Sequence, residues 1–115
     1  MHEFTIESHF VGKDRIVREI YDKLKESVKT FGPISEEPKK TSIHVVNKTA
    51  FLGVATRKAH LILTIKSDRQ LASPRIHRTQ HTSASRFHHE VKLISRADVD
   101  NELVGWLKAA YKLSA

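Results

Sequence analysis

The stretch RIHRTQHTSASRFHHE, from Arg75 to Glu90, gathers four histidines and three arginines against a single acid. Side chains of these types do three kinds of chemistry. Imidazoles ligate metals and exchange protons near neutral pH, and guanidiniums pair bidentately with phosphates or carboxylates. Spacing separates these options. His77 and His81 have the HxxxH spacing that would put two ligands on one helix face, but the residues around them read as strand, where positions four apart lie about 13 Å from one another. Such a pair cannot chelate one ion. His88 and His89 are adjacent, so in a strand they point to opposite faces, and no Asp or Cys cluster completes a ligand set. No metal site is expected.

Catalysis requires a nucleophile beside a base, two carboxylates held at different pKa values, or a cofactor loop. The sequence has no GxSxG, HExxH or GxxxxGK[ST], and no cofactor is expected. Its acids fall mostly on helical segments, where pairs such as Glu19 with Lys23 read as solvated surface. The enzyme reading that the residues leave open is a concave pocket around Lys40, Arg57 and His89. Alternation sets His89 on the same side as Phe87, Val91 and Leu93, so the expected role is a buried or rim histidine hydrogen-bonded to a neighbouring element. Trp106 is likewise expected to be packing.

Anion binding has broader support. Between Arg57 and Arg96 nine basic residues face two acids, a balance of +7 that equals the net charge of the whole chain. The rest holds eleven basic and eleven acidic residues. Five of the eight histidines also lie in that block. The candidate contacts for a polyanion or smaller ligand are Lys40, Arg57, Lys58, Arg75, Arg78, Arg86, His88 and His89. Exposed aromatics are scarce in the block and no RRM, KH or helix-turn-helix pattern occurs, so nucleic acid would be held by sequence-independent electrostatics. The first expectation is a small cytosolic binding or interaction module with an unidentified protein or anionic partner. Nucleic-acid or polyanion binding through residues 57–96 is the alternative, and an enzyme or small-ligand site at Lys40, Arg57 and His89 the second.

These residues must be positioned by one domain, residues 1–115, because a chain of 115 residues with 39% hydrophobic and 29% charged content has the size and composition of one folded core. Cysteine is absent, which excludes disulfides and thiolate chemistry and is compatible with a reducing compartment. MHEFTIESHF has acids and histidines where a signal peptide needs a basic start and an apolar run, and the longest apolar runs are far too short to span a bilayer. A soluble, cytoplasmic protein without a membrane partner is expected.

Apolar residues recur at Val17, Ile20, Tyr21, Leu24, Val28 and Phe31 after Asp14, a good N-cap, and Gly32-Pro33 stops them, which predicts a helix over 14–31. Ser95-x-x-Asp98 resembles a capping box, and Val99, Leu103, Trp106, Leu107 and Ala110 form one stripe, predicting a helix over 96–112. Thr5 caps a short helical turn at about 5–10. Strands are expected at about 40–47, 50–57, 60–67, 75–80 and 86–94, from β-branched and aromatic content and period-two alternation, with the last two forming a hairpin. The fold class is α+β, a two-layer sandwich with N- and C-terminal helices on one face of a four- or five-stranded antiparallel meander. The other face must meet solvent or a partner, and a second copy covering Ile62 and its neighbours as a homodimer is one arrangement this allows.

The sequence also carries a resemblance. FTIESHFVGKD, IYDKLKESVKTFGPI, EEPKKTSIHVVNKTAFLGVATRKAHLILTI and HHEVKLISRADVDNELVGWLKAAY resemble a family of small bacterial domains of unknown function over almost the whole chain. The most specific matches are Lys40-Thr41, Phe51-Leu-Gly-Val, Arg57-Lys58, His89, Asp100, Trp106-Leu and Ala110-Tyr111. The resemblance implies a stand-alone cytosolic module that also ends longer proteins, some labelled predicted transport protein. It is loose between Arg69 and Arg86, so it implies no family role for the histidine-rich hairpin.

Overall fold

Strand alternation decides which side of the sheet each residue serves. In the computed structural model, which describes residues 4–115, a short 3-10 turn (Glu7–Phe10) and α1 (Arg15–Lys29) precede six strands. These are β1 (Ser35–Pro38), β2 (Ile43–Val46), β3 (Ala50–Thr56), β4 (Leu61–Ser67), β5 (Ile76–Ser83) and β6 (Arg86–Leu93). A second 3-10 turn (Arg96–Asp98) leads into α2 (Asn101–Leu113). All pairings are antiparallel, and the sheet order is β1-β2-β3-β4-β6-β5.

The α+β class and the helix-covered antiparallel sheet follow the expectation, with two corrections. The sheet has six strands rather than four or five. The added one, β1, reads SEEP: its acids and proline give no apolar alternation, and it is tolerated because it lies at an edge, where Pro38 need not donate to a further strand. Its Glu36 carboxylate meets Lys25 of α1 at 2.8 Å. Second, the C-terminal half of the sheet is not a meander. The β5-β6 hairpin folds back so that β6 lies beside β4, leaving β5 at the edge.

Registry makes two sets of rows across the sheet. On the inner face Ile43, Val54, Leu63, Val91 and Ile76 are aligned, as are Val45, Leu52, Ile65, His89 and Thr79. The helices pack on this face through Val17, Ile20, Tyr21, Leu24 and Val28 of α1 and Leu103, Leu107 and Ala110 of α2, all buried in one core. A bulge between Val45 and Val46 opposite β3 leaves both Phe51 and Leu52 buried, and Phe51 meets the edge of the Tyr111 ring at 5.5 Å.

The helix ends depart from the sequence reading by local hydrogen bonding. Asp14 stands at the N-cap of α1, but its carboxylate pairs with Lys58 Nζ at 3.1 Å and caps nothing. The α1 spiral ends at Lys29, and Thr30 and Phe31 close it with short-range bonds to Ser27 and Val28 before Gly32. The expected 96–112 helix is two pieces. Asp98 turns its carboxylate back to the Ile94 and Ser95 N–H groups, and a new cap, Asp100, accepts from Leu103 N–H at 3.0 Å. On α1 the surface pair is Arg18 with Asp22, whereas Lys23 donates to the Arg96 carbonyl. Thr5 does cap the first turn, accepting from Ser8 N–H at 3.0 Å. Trp106 is half-buried at the margin of the core, with the Arg75 guanidinium 6.0 Å from its ring centre.

Candidate anion-binding face

Among the described residues no helix covers the other side of the sheet. Its rows are His44, Gly53, Thr64, Glu90 and Arg78; then Ala55, Ile62 and Lys92; then Lys66, His88 and Gln80. The middle of the face is made of short side chains, and a groove of about 270 Å³ runs across it, lined among others by Gly53, Ala50, Ala55 and Thr64, with His44, Lys66 and His88 as its walls. Because strands are spaced about 4.8 Å apart, His44 on β2 and His88 on β6 stand at opposite ends of this trench, with β3 and β4 forming its floor.

Lys66 reaches over the end of β4 to the Thr49 and Ser114 hydroxyls, each at 3.2 Å, which fixes the ammonium at one corner of the groove. Burial and the charge of Arg86 lower its pKa. His88 is pulled below the ordinary histidine value of 6.5 by burial and then by Lys66 and His89. His60, at the far end, is lowered by burial and by Lys92 and Arg57. In each case burial is the larger cause, and a neighbouring cation adds to it. Glu90 is the acid in the central row, and Arg78 sits 3.7 Å from it.

The residues expected to contact a ligand divide between the two sides. Arg86 and His88 belong to the outer face by alternation along β6, and Arg57 follows the end of β3 beside His60 and Lys92. Lys40 is exposed on the β1-β2 turn. Arg75 is turned to the helix side, where it pairs with Asp100 at 2.7 Å and Glu102 at 3.3 Å and donates to the Asp98 carbonyl at 2.6 Å. Burial opposes its charge, but these bonds outweigh it and raise its pKa. Lys58 is engaged by Asp14 and by the Gly12 carbonyl.

His89 has no exposed surface. Its Nδ1 lies 3.0 Å from Thr79 Oγ1, its neighbour in the inner row, and its Nε2 lies 3.1 Å from the Arg69 carbonyl and 3.3 Å from Leu71 N. The imidazole therefore ties the β4-β5 connection to the middle of the sheet. Lys40, Arg57 and His89 are not brought together: His89 is level with Ile65, four residues along the strand from the Leu61–Leu93 row near which Arg57 begins, and on the opposite side. Among the described residues no three His, Asp or Glu side chains converge as a metal ligand set. His81 stacks flat on Phe87, with ring centres 4.4 Å apart.

A family model matches residues 6–114. The chain belongs to the family described as Domain of unknown function (DUF5655). The resemblance carried by the sequence blocks thus holds at the level of a small domain of unknown function spanning nearly the entire chain. No curated protein and no solved structure matches this DUF5655 chain. Among the described residues no helix is long and apolar enough to cross a membrane.

His44, Gly53, Ala55 and Thr64 lie outside the charge-based reading, and Lys66 and Lys92 are counted in its basic block without being among its candidate contacts. Alternation in AFLGVAT and LILTIKS contains the signal, since it sets Gly53 and Ala55, and Thr64 and Lys66, opposite the core positions. Their meeting in one trench depends on registry between strands.

Proposed function

We propose that this DUF5655 domain is a cytoplasmic binding module whose contact surface is the uncovered sheet face and whose ligands are polyanions. The single observation that carries the reading is that His44, Lys66 and His88 line a concave floor of small residues, on a face where Arg86 stands near Lys66, and Arg57 and Lys92 near His60. Cations held in clefts focus a positive potential, and each phosphate they neutralise releases condensed counterions. An apolar protein partner is less well suited to this face: among the described residues the large exposed hydrophobics are Phe4, Val11 and Ile94, whereas Ile62 is half-buried in a row with Ala55 and Lys92.

The test is oligonucleotide binding across a salt series, comparing the wild type with the combined variant Lys66→Gln, Arg86→Gln, Lys92→Gln. Removing three phosphate contacts should reduce the slope of log affinity against log salt by about two on a single strand. In the same assay affinity should rise only as pH falls below 6.5, because burial and nearby cations lower the pKa of His60 and His88 and they gain charge later than an ordinary histidine. An unchanged salt slope in the variant would remove the reading.

A further inference from the structure

The cations of the outer face explain attraction to any polyanion, but they do not explain the trench. A surface built only to track charge has no use for a floor of Gly53, Ala55 and Thr64 beneath two imidazoles. A Cβ at Gly53 would meet only Thr64 Cβ, at 3.7 Å, an ordinary contact, so neither backbone conformation nor packing below the sheet demands glycine there. The space above it is what the glycine leaves open.

Resting on the reading of this face as polyanion-binding, we propose that the trench seats an unpaired base of a single-stranded nucleic acid while the surrounding cations hold its phosphates. Three features suit this occupant. The floor is largely carbon, from Gly53, Ala50, Ala55 and the Thr64 methyl, which suits the flat face of a base. The ring nitrogens of His44 and His88 and the Thr64 hydroxyl supply polar partners at the groove, so base edges can be met without a fixed code. The cations extend well past the groove, since Arg86 to Lys92 on β6 alone spans about 20 Å at the rise of a strand, more than one nucleotide needs and consistent with a polymer. A duplex keeps its bases stacked inside and would reach only the cationic rim.

The decisive comparison is the affinity of the full chain for an oligodeoxythymidylate, a DNA duplex of equal length, and poly-glutamate, for the wild type and Gly53→Leu. Chemical denaturation checks that the variant folds, and Ala55→Leu, at a floor position that already carries a Cβ, repeats the test independently. The expected result is preference of the wild type for the single strand, and loss of about tenfold or more of that affinity in either leucine variant, with duplex binding unchanged. Equal binding of duplex or poly-glutamate, with no effect of the leucines, would overturn the base seat and leave the polyanion reading standing. Failure of all three probes to bind at low salt would overturn both.

Discussion

At the scale of single residues, the histidine that looked most pointed in the sequence is a fastener. His89 alternates with Phe87, Val91 and Leu93, so its burial was legible in the strand pattern. Its partners were not, because Thr79 is brought opposite by the hairpin registry and Arg69 and Leu71 by a connection with no regular structure. His89→Leu keeps the volume and removes the hydrogen bonds that hold that connection, at an expected cost of about 1–3 kcal/mol in urea denaturation. Because the side chain is on the helix side of the sheet, the same variant should retain wild-type affinity for oligonucleotides. Weaker binding without lost stability would return His89 to the ligand site. Arg75 followed a similar course: a candidate phosphate contact by type, it is held by Asp100, Glu102 and the Asp98 carbonyl at the start of α2.

At the scale of elements, the helices and central strands were legible because their apolar periods are long and regular. The misread parts are those in which a few polar bonds outweigh periodicity: β1, whose acids and proline resemble a loop, and the joint at Val99, where Asp98 and Asp100 cap two separate turns. Two glycines, Gly32 after α1 and Gly105 inside α2, separate conformational need from tolerance. Gly32 has φ of 147°, and a Cβ there would lie 2.5 Å from the Tyr111 hydroxyl, which itself donates to the Pro33 carbonyl at 3.1 Å. Gly105, on the exposed side of α2, would meet nothing within 4 Å. Gly32→Ala should therefore destabilise by about 1–3 kcal/mol, from strain at a left-handed backbone plus the clash. Gly105→Ala should stabilise by about 0.5–1 kcal/mol through helix propensity. Two melts with shifts of the same sign would refute this account of the α1 stop.

At the scale of the whole molecule, the division of labour lies between the two faces of one sheet. Composition counts the charge but not its direction: of the basic block, Lys58 and Arg75 serve the helix side, while Lys66 and Arg86 stand near His88 on the outer face and Lys92 lies further along it, near His60. That sorting depends on pairing order. Inserting β6 between β4 and β5 brings His88 beside Lys66 and Lys92 beside Ile62, which a meander would not have done. The central claim is that ligands use this uncovered face, and the most direct measurement is backbone amide chemical-shift mapping during titration of the labelled domain with oligodeoxythymidylate at low salt. The account predicts that the largest shifts gather on Gly53, Thr64, Lys66 and His88, with α1 and α2 nearly unmoved. Binding with shifts confined to the helices, or no shifts at all, would contradict it.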